Sequence, residues 1–144
     1  MKIFFDMDGT IVDFYNVDNW LDYLKNEDTY PYEHAKGKVN LSHLARLLHK
    51  VQKEGHKIGI ISWTAKSGSR SFNERVKEAK MEWLKKHLPS VEWDEIHIIN
   101  YGLSKVKCGN GILFDDELMN RWEWGDLGFK PDAIFDVLQA VLEG

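Results

Sequence analysis

One cysteine, Cys108, stands in the whole chain, so no disulfide closes within it and no cysteine-rich zinc site can be assembled. A reducing cytoplasm fits that count. Proline is scarce too: Pro31, Pro89 and Pro131 are the three, each where a regular element stops or is interrupted. Basic charge is not in excess. Lys and Arg number 19 against 23 Asp and Glu, a formal net charge of −4, which argues against a protein that coats nucleic acid in bulk. No apolar run is long enough to span a membrane. The first run meets Asp6 at once, too soon for the core of a signal peptide. Internal repeats and low-complexity segments are absent. What remains is a 144-residue chain, 43% hydrophobic and 29% charged, with the size and composition of one folded domain over residues 1–144.

The chain is organised around its first few residues. Ile3-Phe4-Phe5 is a short apolar run that leads into Asp6, then Met7, Asp8, Gly9 and Thr10. Such a run, bounded by turn signals, reads as a buried parallel strand. Ligands of open α/β sheets bind beyond the carboxyl ends of their strands, where Asp6 and Asp8 would stand. A carboxylate there can attack phosphorus or bind a metal. A second one, two residues on, can reach the other side of the reacting group as general acid and then base. Two such anions beside a phosphate call for a hard divalent cation, and magnesium suits a few carboxylates plus phosphate oxygens. Gly9 permits a tight turn whose N–H groups could face phosphate, and the Thr10 hydroxyl can bond Asp6 or cap the turn. The plainer alternative is a polar Asp-Gly turn after a core strand.

Further on, Trp20, Leu21 and Leu24 fit one face of a short helix capped by Asp18 or Asn19. Residues 26–36 lack periodicity. Together they form a modest insert, about residues 14–39, whose Trp20, Tyr23, Tyr30 and Tyr32 are read chiefly as packing residues. Leu41, Leu44, Leu48 and Val51 mark a helix between an Asn40 cap and a Gly55 stop. Lys57 to Ser62 is a second strand ending in a hydroxyl, followed by Trp63 and Thr64. The basic stretch from Lys66 to Arg75 offers Lys66, Arg70 and Arg75 to a substrate, or is a solvated loop and helix start. Phe72, Val76, Ala79 and Trp83 mark the next helix, which Pro89 stops. Glu95 to Asn100 is a third strand, with His97 as a satisfied edge histidine. Gly111 to Asp116 is a fourth, an apolar run ending in the pair Asp115-Asp116. Paired acids at a buried strand end are costly without a cation. A brief fifth strand near residues 128–130 and a final helix over Ile134 to Leu142, capped by Asp132, complete the pattern.

Asp6-Met7-Asp8-Gly9-Thr10-Ile11-Val12-Asp13 resembles the first motif of the haloacid dehalogenase-like (HAD) phosphohydrolases. Ser62, with Thr64 as the weaker candidate, resembles the second motif, a strand ending in Ser or Thr. Lys105, with Lys107 as rival, resembles the third, and Asp115-Asp116 the fourth. The resemblance runs over nearly the whole chain, with the first and fourth motifs specific and the others carried by position. It implies a three-layer, Rossmann-like α/β core with a mainly parallel sheet and a short insert in place of a full cap. It also implies a phosphatase: Asp6 as nucleophile, Asp8 as acid and base, and Ser62 and Lys105 on the phosphate. Gly9, Thr10, Trp63, Thr64 and Arg70 would face the substrate. Mg²⁺ would be held by Asp6, the Asp8 backbone carbonyl and Asp115, with Asp116 in direct or water-mediated support. The short insert is similar to those of small nucleotidase-like and phage-associated members, which points to a small phosphorylated substrate such as a nucleoside monophosphate. Two rivals stand beside this reading. One is a HAD-like binding protein without catalysis. The other is a receiver-type phospho-Asp signalling domain, disfavoured because there the acid pair lies on the first strand and the phospho-acceptor on the third, whereas here the third strand ends in Asn100 and the pair Asp115-Asp116 lies on the fourth.

Overall fold

The computed structural model describes all residues from Met1 to Gly144. Its centre is a five-stranded, wholly parallel sheet: β1 (Lys2–Phe5), β2 (Lys57–Trp63), β3 (Glu95–Ile99), β4 (Ile112–Phe114) and β5 (Gly128–Phe129). The strand order is β3-β2-β1-β4-β5. The chain steps outward from β1 to β3, then returns to the far side of β1 for β4 and β5. The reversal therefore falls beside β1, and a crevice opens at its carboxyl end. In a receiver-type sheet β3 lies next to β1; here β4 does, so this topology is a different one.

Strand alternation divides the apolar residues between two unequal faces. Ile3, Phe5, Ile58, Ile60, Ile112 and Phe114 join a cluster of 26 buried residues. That face is covered by α3 (Leu41–Lys53), α4 (Arg70–His87) and α6 (Ile134–Glu143). The other face holds a cluster of three, Phe4, Ile61 and Leu113, with Cys108 and Trp124 against it. Its cover is thin: α5 (Leu118–Trp124) and a 3₁₀ turn at Lys105–Cys108. Phe4 fills this face because its neighbours are small. A Cβ on Gly59 would come within 2.6 Å of the Phe4 ring, and one on Gly109 within 2.9 Å.

The insert after β1 has more structure than its sequence suggests. A 3₁₀ turn at Phe14–Asn16 is followed by α1 (Trp20–Lys25) and α2 (Tyr30–His34). Pro31 sits at the start of α2, where its missing N–H costs nothing. Helices this short show no periodicity, which is why residues 26–36 read as irregular. Backbone bonds from Asp13 N–H to the Lys36 carbonyl and from Lys38 N–H to the Ile11 carbonyl close the stem of the insert. At its far end the Glu27 carboxylate accepts from the Ser69 N–H and hydroxyl, while Arg75 donates to the Glu27 carbonyl.

Two caps differ from expectation. Asn19 precedes α1 in a left-handed conformation and its side chain bonds nothing in the helix, so the entry is shaped by backbone rather than by a cap. Asp132 belongs to a 3₁₀ turn, Pro131–Ala133, and α6 begins beyond it. Asn40, by contrast, caps α3 by accepting from the His43 N–H. His97 pairs with Glu95 at the sheet edge, in keeping with a structural role. None of the helices is long and apolar enough to cross a membrane.

Candidate active site

The carboxyl ends of β1, β2 and β4 bring Asp6, Ser62 and Asp115 together. Phe5 is in register with Ile60 and Phe114, so Asp6 and Asp115 leave adjacent strands at the same level. The chain turns sharply after Asp6. The N–H groups of Thr10, Ile11 and Val12 all donate to the Met7 carbonyl, and that of Gly9 to the Val12 carbonyl. Gly9 makes this turn with φ +83°, and a Cβ there would lie 2.2 Å from Asp116 Oδ2. The turn thus needs glycine for both its backbone and its neighbour.

Lys105 is the hub. Its Nζ donates to Asp6 Oδ1 at 2.9 Å and to Asp115 Oδ2 at 2.6 Å, with the whole side chain buried. Burial works to lower this ammonium's pKa, but the Asp6 and Asp115 charges outweigh it and hold it above its ordinary value. Lys107 is exposed, so of the two lysines it is Lys105 that reaches the carboxylates. Thr10 donates its hydroxyl to Asp6 Oδ2. Asp115 is engaged on both oxygens: Oδ1 accepts from the Glu117 N–H, and Oδ2 also accepts from Asn120. Asp116 has no hydrogen-bond partner among these groups. One oxygen each from Asp6, Asp115 and Asp116 lies within 4.8 Å of the others. The Asp8 carboxylate is outside that triad. It is paired with Lys80 of α4, at 2.9 Å. Burial raises the Asp8 pKa, against the lowering effect of Lys80.

The donor set suits a hard cation. Three converging carboxylate oxygens are the ligands that magnesium or calcium prefers, and nothing soft is near. The charge count agrees: Asp6, Asp8, Asp115 and Asp116 are four acids, and Lys80 and Lys105 are two bases.

The acids open into a cavity of about 300 Å³. Ser62, Trp63 and Thr64 from the end of β2 line it, as do Lys66 and Tyr101. Across from them stand Tyr15, Trp20 and Tyr32 from the insert, so the insert supplies a wall as well as packing. Trp63 lies against Tyr101 with ring centroids 4.8 Å apart, and Lys66 sits over the Tyr101 ring. The Thr64 hydroxyl is buried at the cavity wall and has no partner.

Two sequence expectations need correction here, and one residue was not foreseen. Arg70 is the first residue of α4, exposed and away from the cavity lining; a basic stretch in sequence does not reveal which way its side chains leave the helix. Gly9 and Thr10 do not offer N–H groups to a ligand, because both are spent inside the turn. Those of Met7 and Asp8 have no protein partner and are the free donors there. Lys80 was missed. The signal was a lysine four residues after Val76 and three before Trp83, on the buried stripe of α4.

A pH dependence follows from the acid cluster. Burial, and next the Asp6 charge, raises Asp115 and Asp116, the latter to about 8. In the unfolded chain both ionise near 3.8. Between those values the folded protein holds more protons than the unfolded chain, so stability falls as pH rises. In chelator the thermal midpoint is expected to drop between about pH 5 and about pH 8. Asp116→Asn should flatten that slope; an unchanged slope in the variant would refute the assignment.

No protein-family model matches the chain, and no curated protein matches it either. Among solved structures it is similar to D,D-heptose 1,7-bisphosphate phosphatase from Burkholderia thailandensis, with a TM-score of 0.53 and 12% identity. The match covers 89% of this chain and 74% of that one. At such identity the likeness speaks for the fold alone, a Rossmann-like α/β core.

Proposed function

We propose that the protein is a magnesium-dependent phosphomonoester hydrolase that works through an aspartyl-phosphate intermediate. The observation that carries this reading is Lys105 bridging Asp6 and Asp115 at the β1 switch point, with Asp8 and the free Asp116 facing the same cavity. A binding protein without catalysis would have no need to gather four acids, two of them buried, and two buried ammonium groups around one opening.

In this reading Asp6 attacks phosphorus and forms an Asp–O–P bond while the ester P–O bond breaks. Asp8, protonated at the outset, gives its proton to the departing oxygen. Burial favours that protonated form. Asp8 then takes a proton from water as the water attacks phosphorus, and Asp6 is released with inorganic phosphate. Ser62 and Lys105 hold non-bridging oxygens, and the free N–H groups of Met7 and Asp8 add two donors. Asp6 and Asp116 would hold Mg²⁺ directly, since Asp115 is occupied in orienting Lys105. The ion when bound supplies charge neutralisation among carboxylates and phosphate.

The substrate we favour is a nucleoside monophosphate. Its ring would lie along the aromatic wall formed by Trp63 and Tyr101, and the buried Thr64 hydroxyl would meet a sugar or phosphate oxygen. With one free cysteine and no spanning helix, a reducing cytoplasm is the setting we favour.

The test is phosphate release from nucleoside monophosphates, sugar phosphates and an aryl phosphate, with and without Mg²⁺. Magnesium-dependent release is expected, fastest from a nucleotide. Release that ignores chelation would overturn the metal role, and none from any member would overturn the phosphatase.

A further inference from the structure

The buried face of α4 carries Phe72, Val76, Ala79, Trp83 and Leu84, and among them Lys80, whose side chain is 1% exposed. An ammonium group out of water is tolerated only when its protons are met. Here all three are. Lys80 Nζ donates to Asp8 Oδ2 at 2.9 Å, to Ser62 Oγ at 2.7 Å and to the Trp63 carbonyl at 2.7 Å. The Tyr32 ring lies 5.4 Å from the nitrogen. With every N–H committed, Lys80 has none left for a ligand. Its significance lies in what it holds.

All three acceptor residues line the cavity, and two of them, Asp8 and Ser62, act on the phosphate ester in the mechanism above. Lys80 is the single side-chain partner of the Asp8 carboxylate. Asp8 lies past the end of β1, on a turn whose bridge to Val12 fixes its backbone but leaves its side chain to Lys80. Engaging Oδ2 leaves Oδ1 as the oxygen that can carry and deliver a proton. Ser62 is constrained in a complementary way. Its Oγ accepts from Lys80, so its own hydrogen must point elsewhere and is free for a phosphate oxygen.

We propose that Lys80 is a positioning residue that fixes the Asp8 carboxylate for proton delivery to the leaving group and the Ser62 hydroxyl for a phosphate oxygen. This rests on the phosphatase reading and goes beyond it. The step it serves is balanced within the site. The proton leaves Asp8 Oδ1 for the ester oxygen, which takes the electron pair of the breaking P–O bond as Asp6 bonds to phosphorus. A proton donor works only within hydrogen-bond reach of the atom it serves, so a carboxyl free to rotate loses most of its effect.

The leaving group exposes this role. An alkyl phosphate needs a proton to leave, whereas p-nitrophenyl phosphate departs as a stable anion. In Lys80→Met, kcat/KM for an alkyl phosphate is expected to fall about 100-fold or more, and for p-nitrophenyl phosphate by no more than about tenfold. Lys80→Gln, which keeps a polar end, should show the same bias and serves if the methionine variant is poorly folded by circular dichroism. Adding Lys80→Met to Asp8→Asn should leave the substrate bias of Asp8→Asn unchanged. Equal losses on the two substrates in a folded variant would overturn the proposal, because a merely structural lysine would slow both alike. Wild-type protein inactive on both would instead remove the phosphatase reading on which it stands.

Discussion

Asp6→Asn is expected to stop phosphate release from every substrate, a loss of at least about 10⁴-fold, the scale seen when a nucleophile acting within a unit is removed. The carboxamide occupies the same space but cannot form the Asp–O–P bond. Its orientation is decided by its neighbours. Lys105 offers only donors, so the amide oxygen must stay where Oδ1 now meets Nζ. The amide nitrogen then faces the Thr10 hydroxyl, which can turn to accept. The fold therefore loses no hydrogen bond, and the site loses one of its crowded negative charges. An inactive protein with a thermal midpoint in chelator at or above that of the wild type is the expected pair of results. Turnover retained within about tenfold would assign the nucleophile elsewhere.

Lys105→Met should act on stability as strongly as on turnover. Removing one partner of a buried charge pair leaves the other uncompensated, which typically costs about 3–5 kcal/mol. For a chain of this length that is very roughly 10 °C in the midpoint. Asn120 and the Glu117 N–H still support Asp115, while Asp6 keeps only Thr10. Without the ammonium Asp115 is raised further, so the folded variant binds more protons than its unfolded chain and its stability falls as pH rises. The deficit against wild type should therefore be large near neutrality and shrink in acid. A deficit below about 1 kcal/mol at neutral pH would show that Lys105 is a surface-like pair rather than the hub.

The features legible in the sequence were those written in local pattern. Short apolar runs ending in Asp6, Ser62 and Asp115 located three strand ends, and the sheet then brought them together. Lys105 could be proposed from its place before β4, but Lys107 stood equally close. Burial separated them, and burial of a loop residue depends on what packs over it. Lys80 was visible as a charge on an apolar stripe, yet its partners lie 72 and 18 residues away in the chain, a distance no periodicity spans. Arg70 failed for the converse reason: composition identified a basic segment, and the helix turned that side chain outward. The roles proposed within the acid pair rest on the hydrogen bonds that occupy Asp115, which are set by Asn120 on α5 and by the Glu117 backbone.

Ser69 donates two hydrogen bonds to the Glu27 carboxylate, and Arg75 donates to the Glu27 carbonyl. The insert is stitched to the start of α4 at its tip and closed by backbone bonds at its stem, so both ends are moored. Enzymes with a hinged lid often turn over at the speed of its opening. A rim fastened this way would act as a fixed aperture for the proposed phosphatase: substrate would be sorted by fit, product would leave by the way it came, and bond-making at phosphorus would set the pace.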